Sequence, residues 1–178
     1  MSESVQKHRE GSPRRVGFAV ITVSTSRFRE LEKSGHAVDE SGDLILGALS
    51  RSGHHVAFRV LVSDDEARIA DAIGNALNRA DVDAIITCGG TGIGSQDVSI
   101  ETATHFFRKE LPGFGELLRR LSFDEIKSAS LLTRATAGVS KEGKIIFCLP
   151  GSPHAAKLAL NEIIIPEIGH IVKSARGT

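Results

Sequence analysis

Three apolar, β-branched runs separated by stretches of helical periodicity constrain the fold of this chain more than any other feature. Residues 16–24, 55–62 and 82–88 carry apolar side chains at nearly consecutive positions and are predicted as strands. The first run is typical of a strand buried on both faces, and the third is also predicted as a buried strand. Apolar residues at helical spacing lie between them, in residues 44–49 and 69–80. This alternation predicts right-handed βαβ units and an α/β fold, with a mostly parallel sheet covered by helices on both faces.

The other segments are predicted as one polar loop, short helices and two more strands. Residues 25–37 are predicted as the loop, ending at Asp39 as the N-cap of a helix that stops at Gly53. After the third strand we expect a short helix at 99–108, a break at 111–115 and helical pieces at 116–121 and 124–129. Residues 134–139 and 144–149 are predicted as strands, followed by a C-terminal helix that Pro166 kinks or splits.

No repeat or linker divides the chain, so we predict one domain over residues 15–178, preceded by a disordered arm at 1–14. The 22 basic and 22 acidic residues leave no basic excess, and the chain has no Tyr or Trp, which disfavours nucleic acid as a partner.

Cys88 and Cys148 fit neither a disulfide framework nor a zinc site, and we expect buried thiols in a reducing compartment. With no apolar leader and no uninterrupted membrane-length segment, the sequence predicts a cytoplasmic protein without a membrane partner.

The residues that follow the predicted strands carry the candidate chemistry. Ser24 and Ser26 follow the first strand, and Asp64 follows the second. The third strand runs into a glycine loop, and Pro150, Gly151 and Ser152 follow the last strand. Because ligands of open α/β sheets bind outside the carboxyl ends of the strands, we expect these residues to share one rim.

The glycine loop consists of Gly89, Gly90, Thr91 and Gly92. Such a loop lets backbone N–H groups approach a phosphate closely. It is no Walker A loop, since no Gly-Lys-Ser/Thr follows, and Ser95 stands where a Rossmann fingerprint needs its third glycine. A glycine-rich tight turn without a ligand stays an alternative.

Asp64 and Asp97 lie on either side of this loop in the sequence. Each carboxylate could simply cap the helix that follows it. Two carboxylates beside a phosphate-binding loop also match the oxygen ligands that Mg²⁺ shares with substrate phosphates. The pair therefore favours phosphoryl or nucleotidyl transfer.

These residues also carry a family resemblance that covers about residues 15–172. The sequence TCGGTG at 87–92 followed by DVSIE at 97–101 resembles a signature of the molybdenum cofactor biosynthesis MogA/MoaB family. LPGFGE at 111–116 and LPGSP at 149–153 resemble two further motifs of that family, in the same order. The stretches 121–126 and 137–139 are more similar to MoaB than to MogA.

The resemblance implies a three-layer MoaB-like α/β fold and molybdopterin adenylyltransferase activity. ATP and molybdopterin, with Mg²⁺, would give adenylyl-molybdopterin and pyrophosphate, in preparation for metal insertion by a downstream protein. The family's catalytic, metal-holding aspartates fall on Asp64 and Asp97, and its glycine loop falls on residues 89–92. The motifs for molybdopterin binding fall on the following residues: Phe114, Gly115, Glu116, Pro150, Gly151 and Ser152. The family likeness further implies a homotrimer or a homohexamer.

Two residues depart from the family pattern, and three alternative functions stay open. Thr25 stands where many relatives have Asp, and Gln96 stands where Arg is frequent, which affects contacts with the nucleotide. One alternative is a non-catalytic pterin- or nucleotide-binding MoaB-type paralogue; some such relatives carry Glu at the first aspartate, whereas this chain keeps Asp64. The others are a nucleotide- or pyrophosphate-processing enzyme from another branch of the fold, and a Rossmann dehydrogenase. The sequence does not distinguish a molybdenum from a tungsten pathway.

Overall fold

A six-stranded sheet forms the centre of the computed structural model, which describes residues 11–177. The strands have the following bounds: β1 Gly17–Val23, β2 His55–Val62, β3 Ala84–Cys88, β4 Phe107–Glu110, β5 Thr136–Ser140 and β6 Ile145–Leu149. The strand order is β2-β1-β3-β6-β5-β4. The four strands β2, β1, β3 and β6 are mutually parallel, and β5 and β4 continue the sheet in antiparallel pairing.

Helices cover both faces of this sheet. Alternate side chains of each central strand enter opposite cores: Phe18 and Val20 pack in one, Ala19 and Ile21 in the other. The helices have the following bounds: α1 Thr25–Ser34, α2 Glu40–Arg51, α3 Glu66–Leu77, α4 Ser99–Thr104, α5 Pro112–Ile126, α6 Pro153–Ala159 and α7 Ile165–Arg176. The first core is covered by α2, α5, α6 and α7, and the second by α3 and α4. The three-layer α/β prediction is confirmed.

Three predicted elements were wrong, each for a local reason. Residues 25–34 form helix α1 instead of a loop. Because α1 buries no side chain, its sequence lacks the helical spacing of apolar residues from which a helix is predicted. The helix predicted at 99–108 ends at Thr104, and Phe107–Glu110 is the edge strand β4. Helix α5 runs unbroken from Pro112 and is followed by a 3₁₀ helix, Lys127–Leu132, where two separate pieces were predicted.

Glycine inside α5 explains the last error. Glycines at 113 and 115 suggested a break, but Gly115 is required by close packing, since a Cβ there would lie 2.5 Å from the carbonyl oxygen of Ala135. The predicted interruption near Pro166 is confirmed: a π-helical segment, Leu160–Ile164, joins α6 to α7 just before that proline. Asp39 caps α2 as predicted, accepting a hydrogen bond from the Gly42 N–H at 3.0 Å.

The predicted arm at residues 1–14 falls largely on residues 1–10, outside the described part of the chain. Pro13 lies against α7, where its carbonyl oxygen would be 2.6 Å from a Cβ placed on Gly169. Cys88 and Cys148 are both free and buried, as predicted. Among residues 11–177, none of the helices combines the length and apolarity that crossing a membrane requires.

Candidate active site

Four strand ends meet at one edge of the sheet and bring the predicted residues together. Because β2, β1, β3 and β6 are parallel and in register, their last residues form a row: Val23 pairs with Val62, Thr22 with Cys88, and Cys88 with Leu149. Ser24, Asp64, Gly89 and Pro150 follow these strand ends. The expectation of one shared rim is therefore correct.

The glycine loop is held tightly against its neighbouring strands. Gly89 and Gly90 have φ values of +108° and +62°, a region that favours glycine. The Gly89 N–H donates to the Leu149 carbonyl at 3.0 Å, and a Cβ on Gly89 would collide with the carbonyl oxygen of Val23. Gly151 crosses closely over it, since a Cβ on Gly151 would lie 3.2 Å from the Gly89 Cα. The loop is thus a compact backbone surface between the β1 and β6 ends.

Asp64 faces this loop and does not cap its own helix. The N-cap of α3 is Asp65, whose side chain accepts from the Arg68 N–H at 2.9 Å. The Asp64 Oδ2 atom accepts from both the backbone N–H and the hydroxyl of Thr25, each at 2.8 Å. Its Oδ1 atom lies 2.8 Å from the position that a Cβ on Gly90 would take. The helix-cap alternative is therefore wrong for Asp64.

Asp97 reaches the same loop from the other side. The N-cap of α4 is Val98, so Asp97 is not the cap residue either. Its Oδ2 atom accepts from the Gly94 N–H at 3.0 Å and lies 2.6 Å from the position of a Cβ on Gly92. Glycines 90 and 92 thus leave the space that the two carboxylates occupy.

The serines and the last strand end complete the rim. Ser24 is the N-cap residue of α1, and its hydroxyl lies 3.3 Å from that of Ser26. The Gly151 carbonyl accepts from the Ser41 hydroxyl at 2.9 Å, which ties the 150–152 turn to the start of α2. Ser152 is the N-cap residue of α6 and makes no side-chain capping bond.

The three residues predicted on α5 have different surroundings. Phe114 is buried, with its ring centroid 5.2 Å from that of Phe147. Gly115 packs against Ala135, and Glu116 is exposed. Phe114 and Gly115 hold α5 on the sheet, and a role of these residues in molybdopterin binding stays a prediction.

A cleft of about 560 Å³ opens beside Asp64. Its size is that of an ordinary small-molecule site. It is bounded by α1, by the start of α3 and by the loop that precedes α4, and Arg29, Arg68 and Gln96 are among its lining residues. The Arg68 guanidinium carbon lies 4.6 Å from the centroid of the Phe28 ring. The cleft therefore combines two cations and an aromatic wall with four carboxylates, those of Glu32, Asp64, Asp65 and Glu66.

Sequence reasoning missed two residues that shape the loop. The Arg134 guanidinium donates to the Gly92 carbonyl at 2.7 Å and also pairs with Glu101. No local sequence pattern predicts this contact, because Arg134 and Gly92 lie 42 positions apart. Among the described residues, the buried Ser99 hydroxyl has no hydrogen-bond partner, and it lies where a Cβ on Gly90 would collide with it.

Burial and hydrogen bonds set the charge states around the rim. Burial raises the pKa of the Asp39 carboxyl, but bonds from Arg59, Gly42 and Thr22 outweigh it and hold that pKa below its ordinary value. Burial raises the pKa of the Cys88 thiol to about 12, so this thiol stays protonated at neutral pH and is no nucleophile.

The donor set at the loop fits a divalent cation that is shared with substrate phosphates. Within the described residues, Oδ1 of Asp64 and Oδ1 of Asp97 make no hydrogen bond, so each carboxylate keeps one oxygen available. Over the same range, no group of three or more His, Cys, Asp or Glu side chains could hold a metal by itself. Mg²⁺ suits such a site, because it is commonly held by one or two carboxylates together with substrate phosphates.

A second cavity of about 560 Å³ lies away from this rim, beside the start of β2. Residues 11–14 and the first two turns of α7 line most of it, with Ser52 and His54. Among residues 11–177, neither a carboxylate nor the glycine loop lines this cavity. The cleft at Asp64 is thus the better candidate for the active site.

Comparison with known proteins identifies the family. Residues 19–170 match the model of a probable molybdopterin-binding domain. The chain is 42% identical over 174 residues to molybdenum cofactor biosynthesis protein B of Bacillus subtilis, which covers 97% of this chain and 98% of that protein. It is 40% identical over 175 residues to a Pyrococcus furiosus protein named molybdopterin adenylyltransferase, covering 97% and 98%.

The structural comparison agrees. A crystal structure of molybdenum cofactor biosynthesis protein B has a TM-score of 0.85 to this chain at 38% identity, covering 94% of this chain and 99% of the other. Fold and rim together define a domain of the molybdopterin-binding type. The chain belongs to the MogA/MoaB family of molybdenum cofactor biosynthesis, which confirms the resemblance. It is 38% identical to the structure of molybdenum cofactor biosynthesis protein B and 28% identical to a structure of MogA.

Proposed function

We propose that this protein transfers the adenylyl group of ATP to molybdopterin and releases pyrophosphate. The observation that carries the proposal is the pair of carboxylates, Asp64 and Asp97, that flank one glycine loop, each with a free oxygen. The relative from Pyrococcus furiosus is named molybdopterin adenylyltransferase, which supports the same reaction.

Phosphate binding falls to the loop and the cleft beside it. Because residues 89, 90 and 92 have no Cβ, the carboxylates of Asp64 and Asp97 lie close against this loop, and a phosphate held at its backbone would be next to both. On the cleft wall, Arg29 and Arg68 offset part of the phosphate charge beside the carboxylates of Glu32, Asp65 and Glu66, which leaves the rest of that charge to a bound cation. An oxygen nucleophile of molybdopterin attacks the α-phosphorus, and the bond to pyrophosphate breaks. The loop contributes by holding the reacting groups in line.

Asp64 and Asp97 would hold Mg²⁺ through the oxygens that make no protein hydrogen bond. When bound, the cation neutralises phosphate charge as it develops during the transfer. The two residues themselves keep their carboxylates in fixed positions, because each has its other oxygen bonded to a backbone N–H.

Assembly into a homotrimer or a dimer of trimers is a further part of the proposal. Large apolar side chains are exposed along α5 and the 3₁₀ helix, in the following set: Leu117, Phe123, Ile126, Leu131 and Leu132. Such a concentration is typical of surfaces that another chain covers. We also propose that adenylyl-molybdopterin passes to a metal-insertion protein in the cytoplasm.

The experiment measures pyrophosphate release by the purified protein with ATP, molybdopterin and Mg²⁺, and repeats it with each component left out. The proposal expects pyrophosphate only when all three are present, and loss of release when EDTA removes the cation. Binding of molybdopterin without any turnover would contradict the proposal and favour the non-catalytic paralogue.

A further inference from the structure

Thr25 and Asp64 form a closed set of hydrogen bonds where the ends of β1 and β2 meet. The Thr25 N–H and the Thr25 hydroxyl both donate to Oδ2 of Asp64, at 2.8 Å each. In return, the Asp64 N–H donates to the Thr25 hydroxyl oxygen at 3.0 Å. The Thr25 hydroxyl is therefore used as donor and acceptor at once, by the same residue 39 positions away.

This arrangement leaves Asp64 one orientation. Thr25 is the first residue of α1, so its N–H group is one that the helix itself leaves unpaired, and a carboxylate is favoured at that end. With Oδ2 held by two donors, Oδ1 points to the glycine loop, 2.8 Å from the position of a Cβ on Gly90. Asp64 thus presents one oxygen to the loop and keeps the other on α1.

We propose that Thr25 is a positioning residue whose hydroxyl makes Asp64 a one-oxygen ligand for the cation that the substrate phosphates share at the glycine loop. The inference rests on the proposed adenylyl transfer and extends it to a residue that does not itself meet the substrate. Without the hydroxyl, Oδ2 keeps only the Thr25 N–H, and the Asp64 N–H loses its acceptor. The Asp64 carboxylate is then free to rotate about its side-chain bonds, so that both of its oxygens, or neither, face the cation at the glycine loop.

The competing explanation is that Thr25 only fastens α1 to the domain. Helix α1 buries no side chain, so its attachment depends strongly on contacts at its ends. A purely structural role predicts that loss of the hydroxyl lowers the melting temperature and leaves the Asp64 orientation and the cation affinity unchanged. A positioning role predicts a changed Asp64 orientation and a weaker cation affinity, whatever the effect on the melting temperature.

The test uses three variants of the full chain. T25V keeps the β-branched shape and removes the hydroxyl, whereas T25S keeps the hydroxyl. T104V is the matched control: it removes a threonine hydroxyl that donates to the Glu101 carbonyl at 2.8 Å, at the far end of α4. For each protein, Mn²⁺ binding is titrated by electron paramagnetic resonance, turnover is measured, and the crystal structure gives the orientation of Asp64.

T25V is expected to turn Oδ1 of Asp64 away from Gly90 and to weaken Mn²⁺ binding by about 10- to 100-fold, the usual effect of losing a partner of a metal ligand. Its kcat falls by a similar factor while KM for molybdopterin stays unchanged, and T25S and T104V stay close to wild type. An unmoved Asp64 with wild-type Mn²⁺ affinity in T25V, or an equal loss in T25S, overturns the inference. If the wild-type protein shows no turnover, the proposed adenylyl transfer is contradicted, but the inference about Thr25 is not. The orientation of Asp64 and the Mn²⁺ affinity of the variants still test that inference.

Discussion

At the residue scale, the site depends on small side chains that leave room for charged ones. Gly90 is the clearest example of such a small residue. Its φ of +62° favours glycine, and a Cβ at this position would collide with neighbouring atoms. The Asp64 carboxylate and the Ser99 hydroxyl lie in the space that this Cβ would fill. The glycine is thus required for the orientation of Asp64 as well as for the turn.

Gly90→Ala should cost about 1–2 kcal/mol in free energy of unfolding from the left-handed backbone alone, and it should reduce turnover by at least about tenfold through displacement of Asp64. Gly74→Ala is the matched control, since a Cβ on Gly74 meets nothing within 4 Å. That control lies inside α3 and should gain up to about 1 kcal/mol. Urea unfolding and pyrophosphate release measure both effects; a fully active Gly90→Ala protein would contradict the geometry.

Asp97→Asn separates charge from hydrogen bonding at the second carboxylate. The amide oxygen can still accept from the Gly94 N–H, so the loop should keep its shape, but the negative charge is lost. We expect turnover to fall by about 100-fold, with molybdopterin affinity nearly unchanged. Asp71→Asn, an exposed position on α3, is the control and should leave both quantities at wild-type values. Wild-type turnover in Asp97→Asn would remove Asp97 from the site.

At the element scale, much of the fold was predictable because the decisive patterns are local. The buried strands β1 and β3 and the partly buried edge strand β2 appear as apolar runs in the sequence, and the glycine loop follows β3. The order of elements implies that the parallel strand ends share a rim. Helix α1 was not predictable: it buries no side chain and is held by Asp64 at one end and by Gly35, at φ +71°, at the other. The Thr25–Asp64 and Arg134–Gly92 contacts join distant parts of the sequence, so no local pattern carries them.

Asp39 joins the elements on one side of the rim. Its carboxylate accepts from the Thr22 hydroxyl of β1 at 2.7 Å, from the Gly42 N–H at the start of α2 at 3.0 Å, and from Arg59 of β2 at 3.0 Å. Only 6% of Asp39 is exposed, so these bonds replace water almost completely. The residue therefore fixes the start of α2 relative to the two strands.

Asp39→Asn should reduce the free energy of unfolding by about 2 kcal/mol at pH 7, the scale of a hydrogen bond to a charged group. Since the pKa of Asp39 is lowered in the folded state, its contribution is complete above the unfolded-state pKa and is lost as pH falls through the folded-state pKa. The difference between wild type and Asp39→Asn should therefore shrink as the pH is lowered below about 4. Urea unfolding from pH 7 to pH 3 tests this; a constant difference would contradict it.

At the scale of the whole molecule, exposed apolar surface is concentrated in one part of the chain. Leu131 is 84% exposed and Leu132 is 60% exposed, in the 3₁₀ helix that directly precedes the Arg134 segment. Arg134 in turn holds the Gly92 carbonyl. A subunit contact at this helix would therefore be linked to the glycine loop, which is distant in the sequence, through the segment at Arg134 and its one direct hydrogen bond to Gly92.

Leu131→Asp should shift the protein from a trimer or hexamer to smaller species, because it places a charge where apolar surface would be covered. Val38→Asp, at a 55% exposed apolar position outside residues 117–132, is the control and should keep the wild-type mass. Light scattering measures both. A monomeric wild type, or equal masses for wild type and Leu131→Asp, would count against this surface as the interface.

The most direct test of the central claim compares two adjacent aspartates. Asp64 faces the glycine loop, whereas Asp65 caps α3 with a bond from the Arg68 N–H. Asparagine remains a good N-cap, so Asp65→Asn should release pyrophosphate from ATP and molybdopterin at a rate within about twofold of wild type. Asp64→Asn should lose at least about 100-fold of that rate, with only a small fall in melting temperature as its two bonds to the start of α1 lose the negative charge. Wild-type release by Asp64→Asn, or equal losses in both variants, would contradict an adenylyl-transfer site at Asp64.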